Sequence, residues 1–278
     1  MINKLRRRLF KLLNIRPSSE PFISGDTFRK YSDHIIEKGN KIDLSKIEEN
    51  EIVFVESGLL DQFFHNTLPR ISKKIILISH NGDQNIDSSF LPFINEKITM
   101  WYAQNKCIQH DKIKLLPIGL ENAKFNLNCK VPNFLRNKDN KPHLNKILLG
   151  FNLSTNFKSR MNCFESLKNG PNTVLIEKRL SNSDYFEMLK STRFIASPEG
   201  NGFDCNRTWE AIYLNCIPVL IKNNFTKSLK NYPALILNDW NEFNLFSEEK
   251  IEILYSEINN KNKRMAYFEF WKNKIFKK

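Results

Sequence analysis

Short apolar runs separated by segments of helical length constrain this chain more than any other feature of its sequence. Most of these runs have four to six residues, are rich in β-branched and aromatic side chains, and rarely alternate with polar residues. Such runs are typical of strands that are buried on both faces, as in parallel sheets. The runs cover residues 52–55, 75–79, 98–102, 115–118, 147–151, 173–176, 194–196, 217–221 and 234–237.

Between these runs the sequence has helical length and pattern. Examples are residues 59–70, 158–168, 184–191, 205–215 and 248–260. Strands that alternate with helices predict a doubly wound α/β fold. A polar stretch at residues 123–145 interrupts the alternation, and we interpret it as the crossing between two α/β halves. We therefore predict an N-terminal domain over 20–145 and a C-terminal domain over 146–260, with the ligand bound at the carboxyl ends of their strands.

The net charge of +13 is concentrated at the two ends of the chain. Residues 1–19 contain six basic side chains and no acidic one. Residues 261–278 contain seven basic and one acidic, together with several aromatic residues, and we predict that they form a separate basic and aromatic tail. The N-terminal leucines have helical spacing, so residues 1–16 predict a basic amphipathic helix that contacts an anionic membrane surface. The alternative is that both ends pack on the body of the protein. The nearly neutral body lacks the broad basic groove that nucleic-acid binding requires, so no nucleic-acid partner is expected.

Several classes of protein are not supported by the sequence. No apolar run approaches the roughly 20 residues that span a bilayer. The five cysteines include no C-x-x-C pair, which argues against a disulfide framework and a zinc site and favours a reducing compartment. We expect a cytoplasmic protein, peripheral at the inner face of the membrane. The chain has no D-x-D triplet, so we expect no metal cofactor. It has neither a G-x-S-x-G elbow nor a P-loop, so the sequence does not support a serine hydrolase or an ATPase.

One segment combines a strand, a loop with two glycines and the start of a helix. The loop covers residues 197–202, and Asp204 or Asn206 can cap the helix that follows. A helix N-terminus presents N–H groups and a positive dipole to an anion, and Arg207 adds a bidentate phosphate donor. Glu210 lies three residues later on the same helix face and can accept both hydroxyls of a ribose. This pattern predicts a nucleoside diphosphate site, while an ordinary Arg207–Glu210 ion pair beside a structural turn is the alternative.

The same segment, residues 193–221, resembles the donor-binding segment of exostosin-like glycosyltransferases. The run Ser-Pro-x-Gly-x-Gly-x-Asp-x-x-Arg-x-Trp-Glu-Ala, followed by Ile-Pro-Val, carries the resemblance, and looser similarity extends to LILNDW, FISGD, ISHNGD and LLPIGLEN. The resemblance implies an α/β, GT-B-like fold with two Rossmann-like domains facing a cleft. It also implies that Arg207 contacts the diphosphate and Glu210 the ribose. The expected donor pocket is lined by Ser197, Pro198, Glu199, Gly200, Asn201, Gly202 and Asp204. The chain is short for this family, and the motif does not name the sugar.

A second junction of strand and helix lies at residues 147–160. Asn152 is in its polar loop, and Lys158 and Arg160 open the helix. Basic residues in the first turn of a helix oppose the helix dipole, so their presence is easier to explain if an anion binds there. We predict that Arg160, with Lys158, is a second phosphate clamp. The alternative is that both are solvent-exposed basic residues.

An inverting glycosyltransferase needs a base that takes the proton of the acceptor hydroxyl. Asp83 and His80 follow the predicted strand at 75–79, where a ligand-facing loop is expected in an α/β domain. Glu121 follows another strand and is the rival base. The alternative for the first loop is a turn built from Asn-Gly-Asp.

These features together predict a glycosyltransferase, either a hexosyl- or a pentosyltransferase. It would move a sugar from a nucleotide-sugar donor to a glycan or lipid-linked glycan acceptor. The resemblance implies an inverting, metal-independent course. The alternative from another class is a non-catalytic nucleotide- or glycan-binding scaffold on the same fold.

Overall fold

The computed structural model of the chain describes residues 15–40, 42–125, 130–137, 139–178 and 180–277. These residues form two compact units. The first unit takes in the described residues up to Lys130, together with Gly202–Asp204 and the residues from Tyr267 onward, and the second comprises Val131–Asn201 and Cys205–Ala266. The amphipathic helix predicted near the N-terminus falls largely on residues 1–14, which lie outside the described residues.

The described strands divide into two five-stranded sheets in which every strand pairs in parallel. In chain order they are β1 His34–Ile36, β2 Glu51–Glu56, β3 Ile75–His80, β4 Ile98–Ala103, β5 Ile113–Leu115, β6 Leu144–Leu149, β7 Thr173–Leu175, β8 Thr192–Ala196, β9 Ile217–Ile221 and β10 Leu235–Leu237. The α-helices of the described residues are α1 Gly25–Tyr31, α2 Leu60–Gln62, α3 Lys130–Arg136, α4 Phe157–Leu167, α5 Asn182–Ser191, α6 Asn206–Tyr213, α7 Glu248–Asn259 and α8 Phe268–Trp271. The α/β class predicted from the sequence is confirmed.

The first unit contains strands β1 to β5 in the order of the chain. Its core packs around Trp101, which is completely buried and donates a hydrogen bond from Nε1 to Oγ of Ser79 at 2.9 Å. The segment predicted as a helix over 59–70 is helical, but only α2 has regular α geometry. A 3₁₀ turn precedes α2, and a π-helical turn and a second 3₁₀ turn follow it. The first sheet is therefore covered partly by irregular helical turns.

The second unit contains strands β6 to β10 in the order β10-β9-β8-β6-β7. Its core includes Leu149, Phe194 and Val219 from three of these strands, and Phe243 packs against Phe194 at a ring distance of 5.5 Å. The unalternating apolar runs of the sequence correspond to these strands because the sheet is buried on both faces.

The C-terminal segment, predicted as a separate basic and aromatic tail over 261–278, belongs to the first unit from Tyr267 onward. The backbone N–H of Phe268 donates to the carbonyl of Pro21 at 2.9 Å, and the rings of Tyr31 and Phe268 lie 4.7 Å apart. Trp271 is buried and contacts Phe28 edge to face at 6.3 Å. The aromatic residues of this segment therefore form part of a core, while its lysines up to Lys277 are at least partly exposed.

The boundary between the two units lies earlier than the predicted position at residue 145, between Lys130 and Val131. Phe134 of α3 explains the difference, because it is completely buried in the second unit. Its ring lies 5.1 Å from Phe186 and 5.6 Å from Tyr213. Asn140 adds to this anchorage, because its Nδ2 donates to the carbonyls of Lys190 and Leu214. Much of the polar stretch predicted as a crossing thus belongs to the second unit.

One predicted strand is displaced and one observed strand was not predicted. The run at 115–118 was expected to be a strand, but β5 ends at Leu115. Pro117 has no N–H to donate to a ladder, which is the physical reason. β1 has only three residues and begins with a histidine, so it lacks the apolar signal of the other strands. None of the described helices is both long and apolar enough to cross a bilayer.

Candidate functional site

The order of strands in the second unit places a ligand crevice at one position of its sheet. β6 comes first in the chain, β7 lies on one side of it, and β8 lies on the other side. The connections that leave β6 and β8 therefore diverge, and open α/β sheets bind ligands at the carboxyl ends of strands at such a switch point. In the first unit the strands follow the chain order, so its described sheet has no switch point.

Hydrogen bonds join the two loops that leave β6 and β8. Asn156 caps α4 and donates from Nδ2 to the carbonyl of Gly200 at 3.0 Å. Arg160 donates from Nε to the carbonyl of Glu199 at 2.9 Å and from Nη1 to the carbonyl of Asn152 at 2.6 Å. Arg160 is almost completely buried, so the alternative of a solvent-exposed basic residue is wrong for Arg160, which is a buried cation held by backbone carbonyls. Its predicted contact with phosphate stays a prediction.

Arg160 and Arg207 lie together over one aromatic ring. The guanidinium carbon of Arg207 is 5.4 Å from the centroid of Phe151, and that of Arg160 is 5.9 Å from the same centroid. Burial, followed by the charge of Arg207, lowers the pKa of Arg160. The Nη1 atom of Arg207 is buried and has no hydrogen-bond partner among the described residues. Two adjacent guanidinium groups with an unpaired buried N–H are suited to binding a multivalent anion.

Arg207 occupies the first turn of α6, which is anchored firmly in the second unit. Trp209 is completely buried and packs edge to face on Tyr232 at 5.3 Å. Ser197 and Thr208 share a hydrogen bond between their hydroxyl groups at 2.9 Å, which joins the loop after β8 to the helix. The N-cap position falls on Cys205, whose side chain makes no capping hydrogen bond. The positive end of the helix dipole thus lies beside the two guanidinium groups.

Two further ionisable side chains lie near Arg207. Glu210 is buried one turn further along α6, on the same side as predicted from its spacing. Tyr185 of α5 accepts a hydrogen bond from Arg207, and burial, followed by the carboxylate of Glu210, raises the pKa of Tyr185. Tyr185 therefore remains a neutral phenol at neutral pH. Sequence reasoning missed both Tyr185 and Phe151, because neither belongs to the loop motifs and each reads as an ordinary apolar position of a helix or strand.

The other predicted donor-site residues divide between the two units. Ser197, Pro198 and Gly200 are buried in the loop after β8, Asn201 is exposed, and Asn152 and Lys158 are exposed beside the start of α4. Glu199 is half-buried; burial raises its pKa, and its Oε1 accepts a hydrogen bond from Asn223 at 2.7 Å.

Gly202 and Asp204 belong to the first unit instead. The backbone N–H of Asp204 donates to Oδ1 of Asn105 at 2.9 Å, and its Oδ2 accepts from the backbone N–H of Ile118 at 2.8 Å. A Cβ added to Gly202 would lie 2.3 Å from Nδ2 of Asn105, which explains the glycine. The expectation that Asp204 or Asn206 is the N-cap residue of α6 is therefore corrected to Cys205.

The three candidate bases lie in the first unit and differ in accessibility. His80 is buried; its Nε2 donates to the carbonyl of Pro117 at 3.1 Å, and its Nδ1 accepts from the backbone N–H of Asn81 at 2.8 Å. Burial lowers the pKa of His80 to about 4. Asp83 is exposed and Glu121 is half-buried. Since the lone pair of His80 is already engaged, the two carboxylates are better placed to receive a proton.

The described residues contain no cluster of three or more His, Cys, Asp or Glu side chains that would hold a metal ion. The four described cysteines, which are Cys107, Cys163, Cys205 and Cys216, form no disulfide bonds.

Comparisons with known proteins bear on part of the chain. No protein-family model matches it. Over 73 residues, or 26% of the chain, it is 34% identical to a probable glycosyltransferase of Arabidopsis thaliana. This stretch is glycosyltransferase-like. The chain spans 14% of the length of that plant protein.

Solved structures add little to this comparison. The N-terminal domain of Candida albicans trehalose-6-phosphate phosphatase matches with a TM-score of 0.36 and 12% identity, over 77% of this chain and 68% of that one. A likeness of this degree carries no argument about function.

Proposed function

We propose that this protein is a glycosyltransferase that moves a sugar from a nucleotide-sugar donor to a glycan or lipid-linked glycan acceptor. The observation that carries the proposal is the pair of guanidinium groups, Arg160 and Arg207, at the switch point of the second sheet. The partial similarity to a plant glycosyltransferase supports the same class of reaction. The finer assignments, to the GT-B fold and to the exostosin-like family, are part of this proposal.

The chemistry follows from charge. Breaking the bond between the anomeric carbon and the donor phosphate leaves negative charge on the nucleoside diphosphate. Arg160, Arg207 and the positive end of α6 would stabilise that charge in a site partly shielded from water. Glu210 is expected to accept hydrogen bonds from the ribose hydroxyls. These roles need no metal ion, in agreement with the absence of a D-x-D triplet from the sequence.

The acceptor hydroxyl must lose a proton as it attacks the anomeric carbon. In an inverting mechanism one general base takes this proton. Asp83 is our first candidate because it is exposed and follows β3, and Glu121 is the second. His80 is not carried forward because both of its ring nitrogens have partners. Loss of sugar transfer with unchanged donor affinity in Asp83→Asn would support this choice, whereas full activity in that variant would favour Glu121.

The test is binding of nucleoside diphosphates, nucleotide sugars and inorganic pyrophosphate to the full chain, by thermal shift and calorimetry. A specific ligand raises the apparent melting temperature. Arg207→Ala should weaken binding by about ten- to a hundredfold, since a hydrogen bond to a charged group is worth about 1.5–3 kcal/mol. Glu210→Gln should weaken the binding of nucleotides but leave the binding of pyrophosphate unchanged.

Arg193→Ala is the matched control. Arg193 lies in the same unit with its guanidinium carbon 5.0 Å from the ring of Tyr255, but it is not part of the proposed site. Wild-type affinity in Arg207→Ala would refute the site. Specific binding without donor hydrolysis or sugar transfer would instead identify a non-catalytic scaffold.

A further inference from the structure

Two guanidinium groups repel each other, so something must hold Arg160 and Arg207 together in the absence of a ligand. Arg160 contacts the carbonyls of Asn152 and Glu199 and the ring of Phe151, and the sulfur of Cys205 is nearby. Arg207 contacts the same ring and the phenol of Tyr185. One phenyl ring is therefore common to both cations.

An aromatic ring differs from a carboxylate as a partner for a cation. The negative face of its π-system attracts the cation but brings no formal charge. A carboxylate in the same position would neutralise a guanidinium group and would compete with an incoming phosphate. Arg193 of the same unit shows the contrast, because it lies over Tyr255 and also pairs with Glu252 at 3.3 Å.

We propose that Phe151 is a positioning residue that holds Arg160 and Arg207 as one cation pair for a diphosphate group without reducing their charge. This inference rests on the proposed function, since it concerns the same anion site. It also gives a selectivity: the pair engages the two phosphates of pyrophosphate, whereas orthophosphate needs only one guanidinium group. Phe151 does not touch the reacting atoms, and it acts only through the arginines.

The experiment measures the dissociation constants of inorganic pyrophosphate and orthophosphate by calorimetry on the full chain. Phe151→Leu should weaken pyrophosphate binding by about tenfold and orthophosphate binding by much less, because a desolvated cation–π contact is lost from each arginine. Phe151→Tyr keeps the ring face and should restore most of the affinity. Phe151→Met fills a similar volume without a ring and replaces Phe151→Leu if that variant does not fold.

Phe164→Leu is the matched control. Phe164 is also half-buried against the core of the second unit and also lies under a cation, with Nζ of Lys168 at 5.7 Å from its ring. It is not part of the proposed site, so pyrophosphate binding should stay at the wild-type level. A thermal melt of every variant separates a loss of stability from a loss of affinity.

The outcomes distinguish this inference from the proposed function. Wild-type pyrophosphate affinity in Phe151→Leu, while Arg207→Ala is impaired, would overturn the inference and leave the site intact. The inference would also be overturned if Phe151→Leu and Phe151→Tyr both weakened the binding of pyrophosphate and of orthophosphate to the same extent. That result would show that Phe151 only packs in the core. If the wild-type chain bound neither pyrophosphate nor any nucleotide, the proposed function and the inference would both be wrong.

Discussion

His80 shows how a polar side chain near a predicted site can have a structural role. It lies at the end of β3, is buried, and has a pKa lowered to about 4 by that burial. The neutral ring donates to one backbone carbonyl and accepts from one backbone N–H. These contacts hold the loops around Pro117 and Asn81 together, which gives the histidine a role that requires no catalysis.

The burial of His80 predicts a pH dependence of stability. Below pH 6.5 the unfolded chain binds a proton on this histidine, whereas the folded chain does so only near its lowered pKa of about 4. The free energy of unfolding should therefore be highest above pH 6.5 and fall by about 3 kcal/mol as the pH drops towards 4.

Urea unfolding of the wild type and of His80→Gln across this window measures the effect. The stability difference between the two proteins should shrink as the pH falls, because only the wild type carries the titrating ring. A difference that does not change with pH would contradict the prediction.

The sequence identified some residues of the site and not others, for a physical reason. Arg207 and Glu210 stand three residues apart on one predicted helix, so their shared location follows from local geometry. Phe151 and Tyr185 come from a different loop and a different helix, and only the tertiary structure brings them to Arg207. Nothing local distinguishes them from apolar positions of a core.

The strands were predictable from the sequence wherever they are buried, because buried positions require apolar residues. Strands β2, β3, β4, β8 and β9 are buried on both faces and appear as apolar runs. The order β10-β9-β8-β6-β7 was not predictable, because strand order depends on how helices pack between strands far apart in sequence. This order matters for function, since it alone places the switch point between β6 and β8.

The start of α1 illustrates a close approach between elements. A Cβ added to Gly25 would lie 1.7 Å from Oδ1 of Asn81 and 2.5 Å from Nδ1 of His80. The backbone of α1 therefore packs directly against the loop that follows β3, and any side chain at this position would push the two elements apart.

Gly25→Ala should destabilise the protein by about 1–3 kcal/mol, the usual cost of overpacking a filled site. Gly58→Ala is the control, because nothing lies within 4 Å of its added Cβ. Thermal or urea unfolding of both variants provides the measurement. Equal stability of the two variants would show that the loop after β3 can move away from the added methyl group without lowering the free energy of unfolding.

At the scale of the whole molecule, most of the net charge lies outside the part of the sequence that forms the two sheets. The basic residues are concentrated near the two ends of the sequence, while the strands of both sheets lie between these ends. Arg16 is the exception, because it forms ion pairs with Asp26 and Glu37 of the first unit. Of the basic residues in the predicted membrane helix, Arg16 is therefore already paired, and the others fall outside the described residues.

We expect the full chain to float with vesicles that contain anionic phospholipid and not with vesicles of neutral phosphatidylcholine. Each basic residue near an anionic surface contributes about 1 kcal/mol. A variant without residues 1–14 keeps Arg16 and its ion pairs and should lose most of the flotation. Unchanged flotation of that variant would place the membrane contact elsewhere in the chain.

The division into two units could be anticipated, but its boundaries could not. The two groups of apolar runs predict two sheets, whereas the boundary depends on where Phe134 packs and the placement of residues 202–204 on contacts with Asn105. These contacts join residues far apart in the sequence, and they leave no periodic trace in it.

Because residues from Tyr267 onward complete the aromatic core of the first unit, that core combines residues on both sides of the second unit in the sequence. During translation the second unit is fully synthesised before Phe268 and Trp271 emerge. The first unit is therefore synthesised first but can complete its folding only after the second unit has been synthesised. A nascent chain stalled just before Phe268 would expose Phe28 and Tyr31, without these aromatic partners, to chaperones and proteases.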